Sequence, residues 1–185
     1  MKKSIIYLAA CFLLLTPVYS QNVHEKGTVV LQGGAGLGLA GVYGNIGFPP
    51  ISVSLDYGIT KEISVGIYAG YSSSKVTLFE AMPPYISEDA GIKYGYTPFG
   101  VRGSYHFNLE NKKIDAYGTA MFGYNVVSAS VFGLGDLDEF ISAKGSYAVF
   151  GASLGIRYFF TPKIALFGEA GYGVEYIRAG LSFKL

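Results

Sequence analysis

Charged side chains stand within several apolar, alternating segments of the chain, where they could form ion pairs in a confined space. Asp56 lies in "SVSLDYG", Arg102 in "FGVRGSY", Arg157 in "LGIRYFF", Glu169 in "LFGEAGY" and Arg178 in "YIRAGLS". A buried charge needs an opposite charge or hydrogen-bond partners, because desolvation costs several kcal/mol per ion. We therefore expect these five residues to form one charge network. Glu169 is expected to pair with Arg178, and Asp56 with Arg102 or Arg157.

Motifs for cofactor or metal binding are weak. The stretch "GLGLAG" from Gly36 to Gly41 matches the G-x-G-x-x-G pattern of dinucleotide sites. No helix or βαβ unit follows it, so we interpret the match as chance in a glycine-rich strand. His24 and His106 are far apart in the sequence, and Cys11 is the single cysteine. We therefore expect no cofactor and no resident metal.

Acidic residues cluster in two of the longer connecting segments. They could form a rim that binds Ca²⁺ or Mg²⁺ through carboxylate oxygens. Ordinary solvated loop charges are the interpretation that we favour. The residues are Glu80, Glu88, Asp89, Asp136, Asp138 and Glu139.

The N-terminus has the features of an export signal. "MKK" is a positive start, "SIIYLAACFLLLTPV" an apolar core, and Val18 to Ser20 a small-residue cleavage site, which together predict a signal peptide over residues 1–20. A lipobox, with Cys11 in "LAAC" as the lipid-bearing residue, is the alternative. Cleavage after Ser20 would remove the cysteine and two lysines, so that 12 basic residues face 13 acidic ones, a net charge of −1. That balance gives no reason to expect nucleic-acid binding.

Composition favours β-structure over helices in the remaining domain, residues 21–185. The chain has 26 Gly, 16 Tyr and 13 Phe, and glycine is a poor helix former. Two long uncharged stretches are interrupted by Gly, Pro, Asn and Ser too often to be transmembrane helices.

Apolar residues alternate with small or polar ones along eight segments, as in "ISVGIYAGYS". Such alternation is typical of strands with two unlike faces. Short polar turns follow the second, fourth and sixth segments, and mostly longer loops follow the others. The predicted strands are 28–40, 50–59, 63–73, 94–107, 114–126, 146–160, 164–172 and 174–185.

The polar face of these strands carries the charge network, so the apolar face must meet something other than water. In hydrocarbon an open sheet edge is too costly, which predicts a closed barrel. An eight-stranded antiparallel up-and-down barrel has an interior just wide enough for its own side chains. We expect the network to plug the lumen, and the aromatics near strand ends to form interfacial girdles. A soluble, lipocalin-like barrel is the alternative.

These features resemble the small OmpA/OmpX-like outer-membrane β-barrels, especially the porin-like outer membrane beta-barrel proteins of Bacteroidota. The resemblance rests on the signal peptide, the eight strands and the ending "ALFGEAGYGVEYIRAGLSFKL". It implies location in the outer membrane of a Gram-negative bacterium, with both termini periplasmic. It also implies contact with outer-membrane lipid and lipopolysaccharide, and assembly by the barrel-assembly machinery, which would read Phe183 and Leu185 as a C-terminal signal.

The resemblance is compatible with three functions. The favoured one is a non-enzymatic barrel with a structural, adhesive or surface-binding role, contacting an extracellular ligand through Phe79, Tyr85, Phe132 and Phe140. A narrow porin or small-solute channel is the second. The third is a lipid A-modifying enzyme, which would need His, Ser and a carboxylate together near the outer leaflet. We expect no catalysis, because His24 and His106 adjoin the periplasmic rim.

Overall fold

The computed structural model describes residues 23–39, 45–77, 90–133 and 142–185, and eight antiparallel strands form a closed barrel in them. Each strand pairs with the next along the chain, and β8 returns to pair with β1. The predicted fold is therefore confirmed. The strands are β1 Val29–Leu39, β2 Asn45–Gly58, β3 Ile63–Thr77, β4 Gly91–Phe107, β5 Ile114–Phe132, β6 Ser142–Phe159, β7 Ile164–Tyr172 and β8 Glu175–Lys184. The proposed signal peptide lies outside the described residues.

Apolar side chains cover the outside of the barrel and polar ones fill it. Ile67, Val101 and Leu154 are more than half exposed on the outer face, whereas Gln32 and Arg157 are at most 1% exposed inside. A soluble domain has the reverse arrangement. The residues on each face agree with the alternation predicted for the strands. No helix in the described ranges is long and apolar enough to span a membrane.

Threonine side chains close two tight turns at the end of the barrel that holds both described chain ends, here called the terminal end. Thr60 Oγ1 accepts a hydrogen bond from the backbone N–H of Ile63 at 2.9 Å. Thr161 Oγ1 accepts one from Ile164 N–H, also at 2.9 Å. Such side-chain turns favour short connections, and they explain the "TKE" and "TPK" segments.

The opposite end, here called the loop end, has an uneven rim. Strands β5 and β6 pair out to Ser130 opposite Ser142, whereas β6 and β7 pair no further than Ala152 opposite Tyr172. We call the projecting part, residues 72–77, 91–97, 125–132 and 142–150, the tall wall. Several of its strands run past their predicted ends, because the extensions still pair across the sheet, as residues 127–130 of β5 do with residues 142–145 of β6.

The low side of that rim is a tight turn that contains a glycine. Gly173 joins β7 to β8 with φ of +124°, and a Cβ there would collide with the carbonyl oxygen of Phe150. Glycine is the residue that adopts such a conformation without strain. The turn therefore holds β7 and β8 short beside the tall wall.

Candidate functional site

Arg102 lies between two carboxylates at the centre of the lumen. Its Nε is 3.3 Å from Asp56 Oδ1, and its Nη2 is 2.9 Å from Glu169 Oε1. The three residues come from β2, β4 and β7, and each occupies an inward position of its strand. Thr119 Oγ1 also accepts a hydrogen bond from Arg102 at 3.2 Å. The buried guanidinium therefore has an opposite charge on both sides, although its Nε makes no hydrogen bond of good geometry.

Arg157 is the most enclosed charge of the lumen, at 1% exposure. It donates to Asp115 Oδ2 at 2.7 Å, to Gln32 Oε1 at 2.6 Å and to Asp56 Oδ2 at 3.4 Å. Its guanidinium carbon also lies 4.1 Å from the centre of the Tyr117 ring. Asp56 therefore joins Arg102 and Arg157 in one network.

Arg178 connects the network to the loop end. Its Nε is 3.3 Å from Glu169 Oε2 and 3.9 Å from Glu175 Oε2. Ser52 Oγ accepts a hydrogen bond from Arg178 at 3.1 Å and itself bonds Glu175 at 3.2 Å. The guanidinium packs 4.9 Å from the ring centre of Phe167. All five residues that the sequence assigned to the charge network are therefore in contact through shared partners.

Sequence reasoning missed three members of this network: Asp115, Tyr117 and Glu175. Asp115 is the second residue of the predicted strand 114–126, and the signal for it was its position: Asp115, Tyr117 and Thr119 occupy alternate positions of β5 that face inward. Glu175 was missed because alternation with Ile177 assigns it to the outer face of β8, whereas its side chain lies beside Arg178 in the lumen.

A second hydrogen-bonded chain joins β3, β4 and β5 near the terminal end. Ser64 Oγ lies 2.9 Å from His106 Nε2, and His106 Nδ1 lies 2.7 Å from Asp115 Oδ1. This is the order of groups in a nucleophile, base and orienting carboxylate. Sequence spacing gives no sign of this grouping, because the register of the barrel brings Ser64, His106 and Asp115 together. The group lies near the terminal end, the rim at which the histidines were expected.

The surroundings of Ser64, His106 and Asp115 favour a structural role for these three residues. Ser64 is 1% exposed, and it does not line the cavity of about 270 Å³ at the terminal end that reaches His106 and Asp115. The ring of His24 stacks on His106 with centroids 3.6 Å apart. Burial, followed by the nearby His106, lowers the pKa of His24 to about 4. The stack therefore covers His106 with a neutral ring near neutral pH.

Little open space remains between the charged side chains. A cavity of about 50 Å³ lies among Tyr68, Arg102, Met121 and Glu175, which suits a few water molecules. Among the described residues, no group of three or more His, Cys, Asp or Glu side chains could hold a metal ion. The described lumen is therefore packed with its own ion pairs.

Other residues singled out from the sequence lie away from the lumen. Phe183 and Leu185 are on the outer face of β8 and just after it, and Leu185 N–H donates to Val29 C=O at 3.0 Å. Phe132 ends β5 rather than lying in a loop, because β4 and β5 stay paired to Gly91. The remaining loop aromatics and acidic loop residues lie outside the described residues: Phe79, Tyr85, Phe140, Glu80, Glu88, Asp89, Asp136, Asp138 and Glu139.

Comparison with known proteins agrees with the closed barrel and its inverted faces. The family model of the outer membrane protein beta-barrel domain matches residues 8–183. The chain belongs to this outer membrane β-barrel family. No curated protein matches the chain in sequence.

Solved barrels share the fold of this family member at low sequence identity. The outer membrane protein OprG of Pseudomonas aeruginosa has a TM-score of 0.57 and 12% identity, covering 89% of this chain and 99% of its own. Neisserial surface protein A has a TM-score of 0.53 and 15% identity, covering 85% and 94%. Ail of Yersinia pestis, solved with the heparin analogue sucrose octasulfate, has a TM-score of 0.50 and 10% identity, covering 87% and 95%.

Proposed function

We propose that this protein is a plugged outer-membrane barrel that acts as a non-enzymatic binding platform on the cell surface. In this proposal the terminal end faces the periplasm and the loop end faces outward. Short turns on one rim and longer loops on the other support that orientation, since outer-membrane barrels keep their short turns in the periplasm.

The tall wall is the observation that carries the proposal. Strand β5 has 19 residues and β6 has 18, whereas about 9 to 11 residues cross the hydrocarbon. At about 3.3 Å per residue, the remaining eight or so extend about 26 Å along the strand beyond it. A ribbon of this length would rise from the hydrocarbon through the headgroup layer, and its end would be available to partners.

One edge of the tall wall has the geometry for strand addition. Within the described ranges, the β7 ladder ends at Ala152, so residues 142–151 of β6 have no strand partner on that side. Free backbone donors and acceptors on an edge can pair with an extended segment of another protein. We infer that an extended segment of a partner docks on this edge.

The charge network argues against the second candidate, a narrow channel. Arg102, Arg157 and Arg178 are each bonded to carboxylates across the lumen, so an ion pathway would require several buried pairs to separate. Leaving a buried charge without its partner costs about 3 to 5 kcal/mol. Planar-bilayer recordings of the purified protein are expected to show no steady conductance, and a steady current would contradict the plugged lumen.

The binding role is tested by shortening the tall wall. In one variant a two-residue Asn-Gly turn replaces residues 127–145, which joins β5 to β6 and removes residues 142–145 of the free edge. Gel mobility with and without boiling checks that this variant folds. Cells displaying the native barrel are expected to adhere more strongly than cells displaying the variant to at least one of three surfaces: heparin, collagen or bare polystyrene. Equal adhesion on all three would contradict the proposal.

A further inference from the structure

Three lysines share the outer surface of the tall wall. Lys75 of β3 and Lys93 of β4 are direct cross-strand partners. Lys144 of β6 lies opposite Ser128 of β5, one step nearer the barrel body. All three side chains are exposed, and each occupies an outward-facing position of its strand. We call this surface the lysine face.

The lysine face has uncompensated positive charge within the described part of the chain. Directly opposed residues have Cβ atoms about 4.5 to 5.5 Å apart, and like charges there destabilise the pairing. None of the described carboxylates forms an ion pair with Lys75, Lys93 or Lys144. Lys75 instead contacts an aromatic ring, since its Nζ lies 5.6 Å from the ring centre of Phe132. An anion between Lys75 and Lys93 would remove the repulsion.

The depth of the lysine face corresponds to the lipid headgroups. Tyr71 and Tyr124 are exposed aromatics at outward-facing positions toward the loop end, where the barrel orientation that we propose puts an interfacial girdle. Lys75 lies four residues beyond Tyr71, and Lys144 lies four residues beyond Ala148, the partner of Tyr124. Four residues span about 13 Å along a strand, or about 9 Å along the membrane normal at a tilt near 45°. A lysine side chain can extend back toward the interface from there.

Hydroxyl groups surround the lysines on the same surface. Ser130 lies opposite both Lys93 and Ser142, and Ser128 lies opposite both Gly95 and Lys144. Hydroxyl donors beside ammonium groups suit phosphate oxygens, which accept several hydrogen bonds at once. Small residues such as Gly95 also leave the surface flat between the lysines.

We propose that the lysine face binds the phosphate groups of lipid A in the outer leaflet. This inference rests on the proposed orientation of the barrel but not on its adhesive role. The occupant is a lipid phosphate rather than free phosphate, since the face is continuous with the apolar outer surface that holds acyl chains. Phe132 assists by holding the Lys75 side chain in place.

The test is a titration of the folded full barrel in detergent with diphosphoryl lipid A, followed by native mass spectrometry. The test variant is Lys75→Gln/Lys93→Gln/Lys144→Gln. The matched control, Lys26→Gln/Lys61→Gln/Lys163→Gln, removes equal charge from exposed positions at the terminal end. We expect the dissociation constant to rise about five-fold for each lysine removed from the face, the equivalent of roughly 1 kcal/mol per basic residue at an anionic lipid surface. The control should bind like the native protein.

Three results would overturn the inference. The first is equal binding by the test variant, and the second is an equal loss in both variants, which would indicate unspecific charge attraction. The third is complete competition by inorganic phosphate, which would indicate a site for the free ion. A membrane-impermeant thiol reagent on intact cells tests the orientation separately, with Ala143→Cys at the loop end, off the lysine face, and Lys61→Cys at the terminal end. The reagent should label the first variant and not the second, and any other result would contradict the orientation itself.

Discussion

Arg157 and Asp115 are direct cross-strand partners of β6 and β5, and their side chains form an ion pair with 2.7 Å between Nη1 and Oδ2. Asp115 also accepts from His106 at 2.7 Å. One carboxylate therefore links the Ser64–His106 pair at the terminal end to the charge network of the lumen. The two polar clusters of the barrel form one continuous hydrogen-bonded structure.

Removing Arg157 should strongly destabilise the barrel. Arg157→Ala leaves Asp115 without its guanidinium partner and Asp56 with Arg102 alone, and both carboxylates are at most 4% exposed. Breaking a buried pair in this way costs about 3 to 5 kcal/mol. Urea unfolding in detergent, followed by gel mobility, measures the loss. Lys163→Ala in an exposed turn is the control and should change stability by less than about 0.5 kcal/mol.

Arg102 and Glu169 should show a large coupling energy. Arg102→Met and Glu169→Gln each leave a charged partner behind, whereas the double variant removes both sides of the 2.9 Å contact. The double variant should therefore be more stable than the sum of the single effects predicts, by about 0.5 to 3 kcal/mol. A double-mutant cycle of unfolding free energies measures this. Simple additivity would show that the two side chains act independently.

Gly155 should tolerate no side chain, because the Tyr117 ring lies across it. A Cβ at Gly155 would collide with the ring carbons of Tyr117, and that ring stacks on Arg157. Gly155→Ala should cost about 1 to 3 kcal/mol, as overpacking does. Gly33→Ala is the matched control on the outer face of β1, where a Cβ meets nothing within 4 Å. It should be neutral or slightly stabilising, and equal losses in both variants would contradict the packing argument.

Acid should loosen the segment before β1. The pKa of His24 is lowered to about 4 in the folded protein from an ordinary value of 6.5, so the folded state binds its proton less readily than the unfolded chain. The stabilising effect of the neutral ring is present above pH 6.5 and is lost as the pH falls toward 4. The rate of hydrogen–deuterium exchange at the backbone amides of Gly27 and Thr28, corrected for the pH dependence of a free amide, should increase over this window. His24→Phe keeps an aromatic ring that cannot be protonated, and it should abolish the increase.

Phe183 is predicted to act in assembly rather than in stability alone. Phe183→Ala should lower the yield of folded barrel in cells while refolding in detergent proceeds. Leu181→Ala, on the same outer face of β8, is the control for lost apolar surface. Equal yields for the two variants in cells would contradict a specific signal at Phe183.

The sequence predicted the charged residues of the lumen better than it predicted the limits of the strands. The alternation of apolar and polar residues was enough to assign Asp56, Arg102 and Arg157 to the inner face. Successive side chains of a strand point to opposite faces, and this does not depend on which strands lie beside it. The ends of β5 and β6 were missed. Beyond the predicted end of β5, Val127 and Ala129 alternate with Ser128 and Ser130, but the apolar residues take the inward positions and the serines the outward ones, the reverse of the barrel body. Their pairing depends on the partner strand, which a single segment of sequence does not reveal.

By itself, the sequence determined the number of strands, their two faces and the closed barrel, because each follows from local alternation and from the cost of an open edge in hydrocarbon. Tertiary structure alone decided which charges meet. Gln32 and Arg157, or Ser64, His106 and Asp115, are brought together by the stagger of tilted strands around the barrel. That stagger is set by all eight ladders at once, so no single segment encodes it.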